Sequence, residues 1–428
     1  MNKNIDLLVQ NIGELATTDV ERGPAYGAAM SRVARVKNAS LAVSAGVIVA
    51  AGPAAEVASA IEINNSTKKI DANGKVVTAG LIDPHTHLIF GGNRANEFIM
   101  RCQGKTYAEI ANAGGGIVAS MRATRQASVA ELVQTGLSRL QRMLSAGTTS
   151  CEVKTGYGLD EDSELHMLEA ILKLDGMQPI ELVPTFMPAH AFPPGADRQE
   201  YVRQITQSML PRASELVKKH SNGKQITLFN DVFCDDGYFN LAETREILEA
   251  GLKLGCNSKV HADEFANLGA TPLAVELNAA SADHLLNVSQ SDIEALSNSN
   301  TIAVLLPGTS FFLNLKEHAP ARKMIEHGVA VGLGSDFNPG SCHIFSLPFI
   351  WGLACLHLKL TVEEALTALT HNAAFAIGAG DRLGQLKPGK QADFLIYDVA
   401  TLEEIPYNLG WNPVSMVFKR GLLVHQRA

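Results

Sequence analysis

The chain of 428 residues has no uninterrupted apolar run of about eighteen residues, the least that would cross a bilayer as a helix. It also lacks a Cys-X-X-Cys pair. Its six cysteines, at positions 102, 151, 234, 256, 342 and 355, are too few and too scattered for a disulfide framework or a thiolate metal site. They read as reduced thiols of a cytoplasmic protein. Positive charge is short as well: 36 Lys and Arg stand against 44 Asp and Glu, a net charge of -8, with no basic stripe to meet nucleic acid or an anionic membrane. The N-terminal stretch "MNKNIDLLVQNIGELATTDVERG" carries only a short apolar run followed by acids, unlike a secretory signal. No G-x-G-x-x-G turn supports a dinucleotide fold, and "AGGGIVAS" at 113–120 lacks the Lys and Ser/Thr of a phosphate loop. That run reads as a loop over the mouth of a site. What is present, 46% hydrophobic and 19% charged residues, suits a globular protein with a large core and a small-molecule partner.

The two ends of the chain differ from its middle. Residues 1–75 hold short strand-like runs, "IDLLVQNI", "SLAVSAGVIVAAG" and "KKIDANGKVVTAG", joined by Gly and Asn turns. The pattern returns in 385–428, in "LGQLKPGKQADFLIYDV" and "VSMVFKRGLLVHQ". Residues 76–384 instead alternate apolar strands with amphipathic helical stretches: "TTSCEVKT", "IELVPTFM", "FNDVFCD", "SKVHADE", "SADHLLN", "TIAVLLPG" and "VAVGLGSDF" are the strand-like members. Near-continuous apolar strands imply a parallel sheet buried on both faces. Their number favours an α/β fold, a (β/α)8 TIM-like barrel carrying a small β-sandwich domain built from both chain ends.

Polar residues interrupt the apolar strands at their C-terminal ends, where this fold gathers catalytic groups. In "GLIDPHTHLIF", residues 80–90, His85 and His87 are two apart, so a strand points both the same way and two imidazoles can reach one cation. A lone buried His is commonly satisfied by a backbone partner; a pair behind Asp83 and Pro84 is a different signal. "SKVHADEF" places His261 and Glu264 at another strand end, "SADHLL" places His284, and "VGLGSDFNPGS" places Asp336. Three imidazoles and a carboxylate around Zn²⁺ or Fe, with a position left for water, point to metal-assisted hydrolysis. Asp336 and His284 suit the proton transfers.

With these motifs on the page, the chain resembles the amidohydrolase superfamily and, within it, the imidazolonepropionases. The likeness rests on "GLIDPHTHLIFGGNRANEFIMRCQGKTYAEIANAGGGI", "EVKTGYGL", "DVFCDDGYF", "VHADEF", "SADHL", "LLPGTSFFL" and "GSDFNPGS" and runs over nearly the whole chain. It implies hydrolysis of 4-imidazolone-5-propanoate to N-formimidoyl-L-glutamate, the third step of histidine degradation. It further implies one Zn²⁺ or Fe³⁺ per subunit on His85, His87, His261 and Asp336, with Glu264, His284 and Asp336 catalytic, and a homodimer. The substrate contacts it implies are Arg94, Tyr107, Tyr157, His190, Glu264, Asn338, Gly340 and Ser341. An arginine fork matches the propanoate, phenolic rings suit a flat heterocycle, and Gly340 lets backbone approach the ligand.

Other readings stay open. Arg94 alone reads more readily as a surface ion-pair member, Tyr107 as an ordinary half-buried aromatic and Tyr157 as the residue after a Gly turn. His166, His318, His327, His343 and His371 read as structural. Ala79 and Pro188 depart from the pattern, where Pro and a small residue are more usual. Lys154 ends a strand as the carbamylated Lys of two-metal relatives does, but the resemblance favours one metal and an uncharged-partner or ion-pair role. A hydantoinase or guanine deaminase would share the metal set without needing Arg94, and a non-catalytic scaffold on this barrel would have lost part of it.

Overall fold

A computed structural model describes residues 3–105, 109–110, 113–221 and 226–427. Eight parallel strands lie side by side in chain order: Leu81–Asp83, Thr148–Lys154, Glu181–Ala189, Phe229–Cys234, Asn257–Ala262, Ser281–His284, Ile302–Leu305 and Val331–Leu333. Every residue of the strands at 148–154 and 229–234 is buried, as covering both faces of a parallel sheet requires, even though Glu152, Lys154, Asn230 and Asp231 are among them. The helices around them begin at side-chain caps. Ser128 with Glu131, Asn240 with Glu243, Ser289 with Asp292 and Thr361 with Glu364 each form a reciprocal capping box.

The ring closes through residues just past the first and last strands. Thr86 bridges Phe337 in parallel, the His87 amide donates to the Phe337 carbonyl at 2.9 Å, and the Asp336 amide donates to the His85 carbonyl at 3.0 Å. Lower down, the Ser335 amide donates to Asp83 Oδ1 at 3.0 Å. The fold is thus the barrel expected from the alternation of strands and helices.

The second sheet comes from both chain ends, as expected. In spatial order its strands are Leu422–Gln426, Val414–Lys419, Phe394–Tyr397, Val76–Ala79, Leu7–Thr18, Val33–Ser44 and Val47–Pro53, with Lys68–Asp71 also pairing Leu7–Thr18. Strand Val76–Ala79 belongs to this sheet, joining Phe394–Ile396 antiparallel and Glu14–Ala16 parallel. A single residue, Gly80, therefore separates the end sheet from the first barrel strand. A Cβ there would fall 2.4 Å from Thr149 Oγ1, so only glycine fits this passage. The inner face of the sheet buries Leu7, Val9, Ile12, Leu41, Phe394 and Phe418, the last two rings stacked at 4.2 Å.

The run at 113–120 forms a turn into helix Ile117–Gln126, with Gly116 at φ 73. Its amide donates to Glu97 Oε1 at 2.9 Å, which binds the turn to helix Ala95–Cys102 at the cavity wall. No helix among the described residues is long and apolar enough to cross a membrane.

Candidate metal centre and active site

His85 and His87 follow the first strand, His261 lies in the fifth, His284 ends the sixth and Asp336 follows the eighth; all five are buried. His87 Nε2 lies 3.3 Å from His261 Nε2. Asp336 Oδ1 is 3.5 Å from His85 Nε2 and 3.8 Å from His87 Nε2. Two nitrogens bound to one ion at about 2.05 Å with a tetrahedral angle would be about 3.3 Å apart. One nitrogen from each of His85, His87 and His261 fits within a 4.8 Å span, as does a second group of His85, His284 and Asp336. Buried His85 Nε2 has no hydrogen-bond partner, although its ring is otherwise held. A cation would satisfy that nitrogen, so the residues fit a metal by geometry and by donor chemistry. Burial, first of all, holds the His85, His87 and His284 imidazoles well below their ordinary pKa, which keeps them in the neutral form that coordinates. Burial also pushes the Asp336 carboxyl up to about 6, against the pull of the Thr309 hydroxyl, which donates to Oδ2 at 2.6 Å.

Beneath these side chains sits a buried charged layer. Asp283 Oδ2 lies 2.6 Å from His85 Nδ1, and Asp231 Oδ2 lies 3.0 Å from His261 Nδ1. At His85 the carboxylate hydrogen-bonded to Nδ1 fixes the proton there and turns the Nε2 lone pair toward the centre. Lys154 Nζ donates to Asp231 Oδ2 at 2.6 Å and to Glu152 Oε1 at 2.7 Å. Lys259 Nζ donates to the Pro84 carbonyl at 2.6 Å and lies 3.2 Å from Glu152 Oε2. Lys154 is thus an ion-pair member. Burial works against its charge, but Asp231, Glu152 and Asp283 outweigh burial and raise its pKa. Of these supporting groups only Lys154 was singled out in the sequence. The signal was there: Glu152 and Lys154, like Lys259 and His261, are two apart and share a strand face.

The backbone at the rim is unusual. His284 has φ 79 and Asp336 φ 51, left-handed values uncommon outside glycine. At His284 this breaks the strand alternation, so neighbouring Asp283 and His284 both face the interior.

Above the centre opens a cavity of about 920 Å³ lined by His87, Arg94, Tyr157, His190, His261, Glu264, His284, Asp336, Asn338, Gly340 and Ser341 among others. The expected residues that the structure describes therefore converge there, apart from His85 beneath it; Tyr107 lies outside the described residues. Glu264 Oε2 is 3.7 Å from His284 Nε2. Burial, then the nearby Asp336 and Asp235 charges, raises the Glu264 pKa well above the usual carboxylate range. Asp235 also anchors the Glu264 loop, accepting from the amides of Glu264, Phe265 and Ala266 at 2.8, 2.8 and 2.9 Å. His190 stacks on His87 with ring centres 4.7 Å apart, donates from Nδ1 to the Gly156 carbonyl at 2.9 Å, and has its pKa lowered by burial to about 3. Tyr157 meets the His190 ring at 5.2 Å. Asn338 Oδ1 accepts from the Gly340 and Ser341 amides, both at 2.8 Å, folding that loop into a tight turn. Arg94 pairs with Glu97 at 2.8 Å, as its ion-pair reading expects, yet also forms cavity wall.

A buried imidazole–carboxylate cluster, a carboxyl beside it whose pKa burial raises and a guanidinium in the wall can together activate water, supply a proton and hold an anionic small molecule.

The amidohydrolase family profile matches residues 112–425. Imidazolonepropionase from Symbiobacterium thermophilum is 47% identical over 422 residues, covering 98% of this chain and 97% of that protein. Imidazolonepropionase from Bacillus cereus is 42% identical over 426 residues, covering 99% and 97%. Among solved structures, a zinc-bound adenosine deaminase from Xanthomonas campestris superposes with a TM-score of 0.71 at 18% identity, covering 99% of this chain and 93% of that one. Guanine deaminase from E. coli superposes with a TM-score of 0.68 at 15% identity, covering 98% and 99%. These structures share the fold. The chain belongs to the imidazolonepropionase family of the amidohydrolases, hydrolases of carbon–nitrogen bonds.

Proposed function

We propose that the chain opens the ring of 4-imidazolone-5-propanoate with water, giving N-formimidoyl-L-glutamate in histidine degradation, at a centre for one Zn²⁺ or Fe³⁺. The observation that carries this reading is Arg94, a guanidinium in the wall of the cavity above the buried His and Asp set. His85, His87, His261 and Asp336 would hold the ion, whose Lewis acidity makes water nucleophilic near neutral pH. His284 and Asp336 orient that water and take its proton as its oxygen bonds to the ring carbonyl carbon. The ring carbon–nitrogen bond breaks, and Glu264, whose hold on a proton is strengthened by burial, delivers one to the departing nitrogen. Arg94 grips the propanoate through charge-assisted hydrogen bonds. Tyr157 and His190 face the ring, Asn338, Gly340 and Ser341 line the far side, and the resemblance assigns Tyr107 as a further substrate residue. We also assign the protein to the cytoplasm, as its six free cysteines suit a reducing compartment, and to a homodimer, supported by exposed apolar residues such as Phe311 and Leu356.

Elemental analysis of the purified protein, run with an assay for loss of the imidazolone ultraviolet absorption, tests the reading. One metal per chain and turnover abolished by chelation are expected. A metal-loaded enzyme that leaves the imidazolone intact and deaminates guanine instead overturns it.

A further inference from the structure

Helix Ala95–Cys102 carries a second guanidinium into the cavity. Arg101 stands seven positions after Arg94, two helical turns on, and so on the same face. Both side chains line the cavity and both reach the Asn338–Ser341 turn. Arg101 Nη2 donates to the Gly340 carbonyl at 3.2 Å, while a Cβ on Gly340 would fall 2.0 Å from Arg94 Nη1. The charges there do not balance. Glu97 is committed, Oε2 to Arg94 and Oε1 to the Gly116 amide at 2.9 Å. Arg101 forms no ion pair with any carboxylate among the described residues. Its cation lies over the Phe312 ring at 5.0 Å, and burial, then Arg94, lowers its pKa. Two guanidinium groups sharing one carboxylate leave a surplus positive charge facing a partly buried cavity. Such an arrangement selects an anion.

We propose that Arg101 is a specificity-determining residue that binds the substrate carboxylate jointly with Arg94. This rests on the reading of the substrate as a propanoate-bearing ring. With both arginines engaged, the anion takes the charge that Glu97 leaves unpaired, and neutral heterocycles lose the advantage.

The metal-loaded full chain and its Arg101→Met variant are compared in two assays: imidazolonepropanoate turnover, and calorimetric binding of imidazole-4-propanoate and of its neutral amide. Removing one charge-assisted contact should raise KM, and weaken propanoate binding, by about ten- to a hundredfold. Binding of the amide and kcat should stay within about threefold, because the uncharged probe makes no such contact. Arg101→Lys, which keeps the charge, should recover part of the loss. A variant that weakens both probes equally, or neither, overturns the proposal, since a merely structural Arg101 would not tell them apart. If the wild type turns over no imidazolone but the variant loses propanoate binding selectively, the substrate reading fails and the role of Arg101 stands. A wild type that binds the two probes equally overturns Arg101 as an anion site whatever its turnover.

Discussion

Asp283→Asn is the most informative single change to the centre, because it alters charge while nearly preserving shape. Asp283 Oδ2 sits 2.6 Å from His85 Nδ1 but 3.8 Å from Lys154 Nζ and 3.9 Å from Lys259 Nζ. The imidazole contact is the close one. Each lysine keeps a nearer acidic partner, Asp231 at 2.6 Å for Lys154 and Glu152 at 3.2 Å for Lys259. The fold should therefore lose little, whereas Asp231→Asn would strip Lys154 of its closest partner and cost about 3–5 kcal/mol, as breaking a buried pair does. At His85 an asparagine oxygen can still accept from Nδ1, but its amide nitrogen can also donate there, which makes the Nε2-protonated tautomer available and blocks coordination. Loss of such a carboxylate partner costs about 10- to 100-fold in metal affinity, or about 1.4–2.7 kcal/mol. Competition with a chromophoric chelator measures it, and thermal unfolding of the metal-free variant checks the fold. Activity should return at saturating metal. Unchanged affinity in a folded variant would refute the assignment of Asp283 as the group that orients His85.

Glu264→Gln should lower kcat by about 10²–10⁴-fold with KM nearly constant in steady-state assays, since the amide can still hydrogen-bond the ring but cannot deliver a proton. Gly340→Ala should raise KM by about tenfold: the new methyl would meet Arg94 Nη1 at 2.0 Å and force the guanidinium away from both Glu97 and the substrate position. Glu181, at the seam between barrel and end sheet, gives a pH test. Burial pushes its carboxyl up, but the Arg382 hydrogen bond and the Lys419, Arg382 and Arg420 charges pull it down to about 2. A depressed pKa stabilises above the unfolded value and fades as pH falls through the folded one. Glu181→Gln should thus cost on the order of 2 kcal/mol at pH 7, with the gap to wild type closing between about pH 4.5 and 2 in denaturant titrations.

The barrel and the sheet from both ends were legible because apolar runs recur with little ambiguity. His85 and His87 were legible because strand alternation puts residues two apart on one face, and His261, His284 and Asp336 because charged or imidazole groups at the ends of apolar strands have no packing role. The pairing within the charged layer below them was not, because apart from Glu152 with Lys154 its contacts join different strands. Asp283 reaches His85 across the barrel, and only the closed ring brings them together. Nor does alternation allow Asp283 and His284 both to face inward; that depends on the left-handed turn at His284, which "SADHL" does not announce. Arg94 was visible as a cation and ambiguous as to partner, and the structure gives it an ion pair and a cavity wall at once.

The hydrogen bonds that seal the ring lie at the site itself, between His85 and Asp336 and between His87 and Phe337. Two of the proposed ion-holding groups are thus separated by some 250 residues of chain and become neighbours only when the last strand docks on the first. A polypeptide still emerging from the ribosome holds at most an incomplete set and should release any ion it meets. Capture of the ion then reports that the ring has closed, and starving the cell of metal should leave apo chains that are complete in shape but idle.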